Sequence, residues 1–302
     1  MNKMVIAAGT GYLGRVLIKH FKSKVNEVII LARGAHSDYD NVKFIQWDAI
    51  NLGHWTTSLE GADALINLTG KSVDCRYNEG NKALIYSSRL LSTEILGRAI
   101  SKCINPPKVW VNASSATIYR HSLDKQMDEE DGEIGEGFSV DVCQKWEAAF
   151  NQAKTPFTNK ITARIGIVLG KEGGAFIPLK KIVKCGLGGN MGKGNQYFSW
   201  IHEDDFASVI EHFITNNRMG IYNVTAPSPI RNKDLMRLLR DKLGVNIGLH
   251  NPKFLLEIGA FLMSTETELL LKSRNVIPAR LLNEGFTFKY NKLEQALDNL
   301  IR

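Results

Sequence analysis

The sequence predicts an α/β fold, a doubly wound parallel sheet followed by a smaller, mainly helical C-terminal lobe. Three observations point there. Strand-length apolar runs alternate with longer stretches of helical spacing through the first two-thirds of the chain. No hairpin turns join those runs, so successive strands must be linked by crossovers, which wind right-handed. A cluster of glycines after Gly170 then breaks the alternation and marks where a second lobe begins.

The first strand is the buried run 4–8, with a helix over 13–21 behind it. Further strands are expected at 27–32, 42–47, 64–68, 109–113 and 160–169, with helices over 82–103 and 141–153. Beyond Gly170 a helix at 175–185 sits in a loop-rich section, followed by a helix at 203–216 and a strand at 220–225. The tail offers helices at 233–243 and 252–263, then helical stretches at 280–282 and 293–301 around Phe286 and Phe288. Phe254, Leu255, Ile258, Phe261 and Leu262 form a stripe at helical spacing, which reads as core or helix packing. The domain division expected is 1–170 for the sheet domain and 171–302 for the substrate lobe, with 197–225 returning to the sheet.

The chain has 302 residues, 44% hydrophobic and 23% charged, which suits a folded protein with a large core. Lys and Arg (38) exceed Asp and Glu (31). That excess is not gathered into blocks or aromatic-interleaved stripes, so nucleic acid is not an expected partner. The cysteines Cys75, Cys103, Cys143 and Cys185 lie far apart with no CxxC pair, which argues against a zinc site or disulfide framework. The N-terminal apolar run is short, broken by glycines and followed by Arg15 and Lys19, unlike a signal peptide. No apolar stretch reaches the roughly 18 residues of a membrane helix. A cytoplasmic protein without membrane attachment is expected.

The strongest local signal is Gly9-Thr10-Gly11-Tyr12-Leu13-Gly14, leaving the first strand and opening the first helix. Gly9 permits the tight turn, Gly11 lets backbone approach a pyrophosphate, and Gly14 allows close helix–strand packing. The helix N-terminus then favours phosphate charge. This is the dinucleotide fingerprint of a Rossmann-type fold. The second strand ends at Ala32-Arg33. A carboxylate there would bind a ribose 2′-hydroxyl; an arginine pairs instead with a 2′-phosphate, so NADPH is preferred over NADH. Asp48, after the third strand, either accepts from the adenine amine or caps an ordinary turn. Asn67-Leu68-Thr69-Gly70 passes the height of the cofactor ribose.

Ser114-Ser115-Ala116-Thr117-Ile118-Tyr119 follows the fifth strand and resembles the SSATVYG segment of extended short-chain dehydrogenases, sugar-nucleotide epimerases among them. Ser88-Arg89, Lys145-Trp146-Glu147, Arg164-Ile165-Gly166, Trp200-Ile201-His202 and Val276-Ile277-Pro278 extend the likeness along nearly the whole chain. As a set they are similar to the atypical, epimerase-like 39U subgroup, which carries a C-terminal extension. The resemblance implies that Gly9 to Gly14 lie on the pyrophosphate and Arg33 on the 2′-phosphate. It places Leu68, Thr69 and Gly70 beside the ribose, brings Arg89 in from the long helix, and sets Val168 near the nicotinamide. Ser114 belongs to the same pocket, and Ser115 takes the place of the catalytic serine or threonine. Such folds also form homodimers through their two long helices.

Two departures matter, the smaller being Ala8 where the extended family often has its first glycine, a change not expected to abolish binding. The family's YxxxK positions hold Ser139 and Cys143, so the usual tyrosine that exchanges the proton and lysine that lowers its pKa are both missing. Ser115 either polarises a substrate carbonyl or caps the strand end. Tyr119 either replaces the lost phenol or is structural. Lys145 lies two residues past the lysine position, about 200° around a helix, and reads as a surface residue. His202 and Asp205 read as helix caps and anchors. Arg164 is expected to bond backbone or carboxylate groups at the start of its strand. Lys193, Gln196 and Tyr197 sit in the glycine-rich loop expected to border a small polar substrate. Two functions fit: an NADP-dependent oxidoreductase or epimerase for a small polar or nucleotide-sugar-like substrate, and a non-catalytic NADP(H) sensor.

Overall fold

The computed structural model describes residues 1–252, 266 and 268–302. The strands are β1 (Lys3–Ala7), β2 (Glu27–Ala32), β3 (Val42–Gln46), β4 (Ala64–Asn67), β5 (Val109–Ser115), β6 (Asn159–Ile165), β7 (Ile167–Leu169), β8 (Tyr197–Phe198), β9 (Trp200–His202), β10 (Gly220–Val224) and β11 (Ile230–Arg231). The helices are α1 (Tyr12–Phe21), α2 (Glu79–Ile100), α3 (Phe138–Gln152), α4 (Phe176–Ile182), α5 (Glu203–Thr215), α6 (Asn232–Leu243), α7 (Glu268–Leu271), α8 (Ala279–Asn283) and α9 (Leu293–Ile301).

Seven parallel strands form the central sheet in the order β10-β6-β5-β4-β1-β2-β3. Its inner strands read as unbroken apolar runs because helices cover both faces. Met4 and Ile6 point to the layer where α1 lays Leu17, Ile18 and Phe21 beside Phe206, Val209 and Phe213 of α5. Val5 and Ala7 point to the opposite layer, packed with Ile95, Leu96 and Ile100 of α2 and Phe150 of α3. Trp110 meets the Phe150 ring edge-on there, with centroids 4.6 Å apart. The doubly wound sheet is therefore present as the sequence predicts. α5 and β10 complete it after the excursion through residues 170–199, with Tyr222 of β10 in register with Ala163 of β6.

Three differences from the sequence reading have physical causes. The apolar run 160–169 is two strands, because β6 stops at Ile165 and β7 leaves the sheet to pair with β9. The hinge is Gly166: a Cβ there would meet Thr225 Cγ2 at 2.7 Å and the Ser199 carbonyl at 3.0 Å. The long helix begins at Glu79, where Asn78 accepts the Asn81 backbone N–H at 2.8 Å, an N-cap hidden in a polar stretch. Helix α3 likewise starts earlier, at Phe138. The helix expected over 252–263, with its stripe of Phe254, Leu255, Ile258, Phe261 and Leu262, lies outside the described residues apart from Pro252.

The second core joins Leu169, Phe176, Trp200, Leu235 and Leu239 to Leu293, Leu297 and Leu300 of α9. Asp205, in the first turn of α5, ties the tail down by accepting the Lys289 and Tyr290 backbone N–H groups at 2.8 and 2.9 Å. No helix among the described residues is long and apolar enough to cross a membrane.

Candidate active site

The order of strand connection reverses between β1 and β4, so the loops that follow them run to opposite faces and leave a crevice at the strand C-termini. The glycine loop forms one wall. A Cβ on Gly14 would lie 2.1 Å from the Gly9 carbonyl oxygen, and one on Gly9 would lie 2.8 Å from Ile30 Cδ1, so both glycines are packing requirements. Gly11 faces open space: the nearest atom to its Cβ position is the Ala8 carbonyl at 3.6 Å. Gly11 is also the N-cap of α1 and gives it no side-chain cap, and the first turn holds no acid. The helix therefore presents bare N–H groups to the crevice, as an anion site requires.

Ala8, just before this loop, has φ 60°. That region costs an L residue roughly 1 kcal/mol, partly offset by the greater unfolded-state freedom of glycine. Ala8→Gly is expected to raise Tm by about 1–2 °C without weakening cofactor affinity, which calorimetric melting and titration would check.

Arg33 is exposed just past β2. Gln46 Nε2 fixes its carbonyl at 3.2 Å, and no hydrogen bond or ion pair among the described residues uses its guanidinium. Asp48 is engaged differently. Its Oδ1 accepts the Ile50 and Asn51 backbone N–H groups, each at 2.8 Å, and Oδ2 accepts Asn51 Nδ2 at 2.7 Å. The bonds from Asn51 pull its pKa down to about 2. Asp48 is thus a turn cap, one of the two roles its position suggested.

At the end of β4, buried Asn67 donates to Asn112 Oδ1 at 2.7 Å and accepts the Thr69 N–H at 3.1 Å, holding Leu68 and Thr69 at the crevice. Thr69 Oγ1 is buried and has no partner among the described residues. A buried hydroxyl left this way costs about 1–3 kcal/mol, and a ribose hydroxyl would satisfy it. Arg89 reaches over from α2 and lies against Gly70, whose Cβ position is 3.0 Å from Arg89 Cζ. Arg89 donates to the Lys71 and Ile85 carbonyls and sits over the Trp146 ring, 5.1 Å from its centroid. Burial pushes its pKa down. An uncapped helix start, an open glycine, an orphaned hydroxyl and a free-facing arginine together fit a phosphorylated dinucleotide.

The turn after β5 forms the floor beyond. Ser115 Oγ accepts the Thr117 N–H at 3.2 Å, capping a short 3-10 turn at Ala116–Ile118, and remains half-buried at the crevice. Its neighbour Ser114 points inward and donates to Glu147 Oε1 at 2.6 Å, so its side chain is not available to a cofactor. Tyr119 corrects an expectation more sharply. It is 1% exposed, donates to Asn223 Oδ1 at 2.9 Å and accepts from Arg164 Nη1 at 2.8 Å. Burial raises its pKa, so it is a structural phenol rather than the substitute proton donor.

Arg164 sits near the end of β6, not its start, and pairs with Glu147 through Nε at 2.9 Å and Nη2 at 2.8 Å. Val168 is buried and its carbonyl accepts the Ala175 N–H at 3.0 Å. His202 is 1% exposed and caps α5, accepting the Asp204 N–H on Nδ1 at 3.0 Å; burial lowers its pKa, which keeps it neutral. Lys145 makes a 2.7 Å surface ion pair with Asp141. Lys193 and Gln196 line a cavity of about 500 Å³ with His121, His250 and Leu271. Tyr197 instead joins the two-stranded pair with β11.

The structure also brings Tyr77, Glu268, Lys272 and Arg274, which the sequence did not flag, to the neighbourhood of Ser139, Cys143 and the Ser115 turn. Cys143 is buried, with burial pushing its thiol up to about 11, and it packs with Ala116 and Ile118 in one apolar cluster. Ser139 Oγ donates to Glu268 Oε2 at 3.1 Å and lies 3.4 Å from Tyr77 Oη. Lys272 Nζ donates to the Thr117 carbonyl at 2.7 Å, and Arg274 Nε donates to Thr117 Oγ1 at 2.8 Å. Burial lowers the pKa of Lys272, and the Arg274 charge beside it does so further. These groups come from sequence positions up to 197 residues apart, counting Tyr77 to Arg274, and no local pattern joins them.

Residues 4–225 match the NAD dependent epimerase/dehydratase family, and 251–300 match a domain of unknown function, DUF1731. The chain belongs to the NAD dependent epimerase/dehydratase family. Among its relatives is the epimerase family protein SDR39U1 of Bos taurus, 32% identical over 306 residues, with 99% of each protein covered. Another is the epimerase family protein YfhF of Bacillus subtilis, 32% identical, covering 99% of this chain and 97% of that protein. The human SDR39U1 crystal structure with NADPH superposes with a TM-score of 0.87 at 30% identity, covering 99% of this chain and 98% of that one. The epimerase-like resemblance read from the sequence is therefore correct. Within the epimerase/dehydratase family, Ser139 and Cys143 stand where a catalytic tyrosine and lysine were expected, and the neighbourhood around them is filled from the C-terminal segment.

Proposed function

We propose that the protein is an NADPH-dependent oxidoreductase or epimerase for a small polar or nucleotide-sugar-like substrate. The observation that carries this is the glycine loop, whose bare helix N-terminus faces a crevice flanked by Arg33 and the unpartnered Thr69 hydroxyl. Backbone amides of Thr10 to Gly14 hold the pyrophosphate, Arg33 pairs with the 2′-phosphate, and Leu68, Thr69, Gly70 and Arg89 border the ribose. Val168 borders the nicotinamide end. When bound, the dinucleotide supplies or accepts the hydride. Ser115 then orients the substrate oxygen.

Arg33 decides between the two dinucleotides. Charge-assisted bonds to a 2′-phosphate contribute about 1.5–3 kcal/mol, so Arg33→Ala is expected to weaken NADPH binding roughly 10- to 100-fold while leaving NADH within twofold. Titration calorimetry with both cofactors checks this; equal losses for both would remove Arg33 from the 2′-phosphate site.

A second reading, a non-catalytic NADP(H) sensor, draws on the buried thiol of Cys143 and the hydroxyl of Ser139 at the pair positions. Neither can do the proton chemistry of the missing residues directly. NADPH oxidation across a panel of aldehydes, ketones and nucleotide sugars separates the two: an enzyme turns over at least one, a sensor binds the cofactor and consumes none.

A further inference from the structure

Ser139 stands where the family's tyrosine would be, yet it is not isolated. Tyr77 Oη lies 3.4 Å from Ser139 Oγ, and Ser139 Oγ lies 3.1 Å from Glu268 Oε2. The phenol comes from the loop before α2, the hydroxyl from the first turn of α3, and the carboxylate from α7 in the C-terminal segment. We propose that Tyr77, Ser139 and Glu268 form a proton relay that takes over the task of the missing pair, with the Tyr77 phenol exchanging a proton with the substrate oxygen. This rests on the oxidoreductase reading above.

Tyr77 is held in place on several sides. Its backbone N–H donates to Glu266 Oε1 at 2.8 Å, and its ring packs on Phe138 with centroids 4.6 Å apart. The bond directions are compatible. Ser139 has one proton and gives it to Glu268, which leaves its lone pairs to accept the Tyr77 O–H. The relay adjoins the turn that carries Ser115. Cys143, one helical turn beyond Ser139 on α3, packs in one buried cluster with Ala116 and Ile118 of that turn, and Lys272 Nζ donates to the Thr117 carbonyl there.

The step balances. As the bound nicotinamide takes a hydride from a substrate alcohol, the alcohol proton passes to Tyr77 Oη while Tyr77 gives its own proton to Ser139 Oγ and Ser139 gives its own to the Glu268 carboxylate, which releases it to water. Reduction of a carbonyl runs the same transfers in reverse. The sequence hides this arrangement because its members are separated by 62 and 129 residues.

The test uses the full chain with NADPH. The wild-type protein is screened for NADPH oxidation with aldehydes, ketones and UDP-sugars, and the best compound is carried into variants. Tyr77→Phe, which keeps the packing on Phe138, is expected to lower kcat about 100- to 1000-fold with the NADPH Kd unchanged within twofold. Ser139→Ala and Glu268→Gln should each lower kcat about tenfold. Independently of turnover, ¹³Cζ-tyrosine NMR of the NADPH-loaded protein should show the Tyr77 resonance, identified by its loss in Tyr77→Phe, shifting in both Ser139→Ala and Glu268→Gln. Tyr77→Phe with kcat within threefold of wild type overturns the relay. So does a Tyr77 resonance indifferent to Glu268→Gln, or a wild-type protein that binds NADPH and reduces nothing. Failure to bind NADPH at all overturns the underlying reading instead.

Discussion

Arg164→Leu is expected to lower the unfolding free energy by about 3–5 kcal/mol, the largest loss of any single substitution in the crevice region. The pair it belongs to is almost wholly out of water, with side chains 7% and 9% exposed. Burial works to lower the Arg164 pKa, but the bonds it donates to the Glu147 carboxylate overcome this and raise the value. Taking the guanidinium away leaves the Glu147 carboxylate buried with only the Ser114 hydroxyl for company, and strips the Tyr119 oxygen of a donor. The damage comes from the stranded charge rather than from the loss of attraction. The double variant Arg164→Leu with Glu147→Leu should therefore be less destabilised than Arg164→Leu alone. Thermal melting is expected to show a drop of roughly 10 °C for the single variant; a drop under 2 °C would mean that the pair is open to solvent.

The second large effect is on binding. Gly14→Ala is a change that helix propensity alone would favour by about 1 kcal/mol. Steric contact overrides it, because the new methyl would sit 2.1 Å from the Gly9 carbonyl oxygen and 2.4 Å from the Gly9 Cα. Those are backbone atoms that cannot rotate aside, so α1 must move away from the end of β1. A shift of about 1 Å in the phosphate-binding amides costs on the order of 100-fold. Gly14→Ala is expected to weaken NADPH and NADH together by at least that factor, and to destabilise the fold by about 1–3 kcal/mol. Arg33→Ala, by contrast, discriminates between the two cofactors, so calorimetry on both variants separates a broken loop from a missing charge.

Much of the sheet was legible because a strand buried on both faces writes itself as an apolar run, as Met4–Ala7 and Val28–Ala32 do. The glycine loop was legible because its steric demands are local. The break at Gly166 was not, since nothing in Ile165-Gly166-Ile167 distinguishes a strand that continues from one that changes partners; the cause is Thr225 and Ser199, far along the chain. Tyr119 misled for a similar reason. Its segment looks like a catalytic turn, but whether a phenol faces a crevice or an arginine depends on β6 and β10. Asp48 was poised between two roles, and its own next residues, Ile50 and Asn51, show that it caps the turn. The contribution of Glu268, Lys272 and Arg274 lay beyond any local pattern, because residues 268–274 fold back onto the turn that holds Ser115.

The central claim is that the uncapped start of α1 and the guanidinium of Arg33 hold a 2′-phosphorylated dinucleotide. Titration calorimetry of the purified chain with NADPH and NADH tests it most directly. The account predicts saturable one-to-one binding of NADPH, at least tenfold tighter than NADH. Heat traces that show no affinity for either dinucleotide would contradict it.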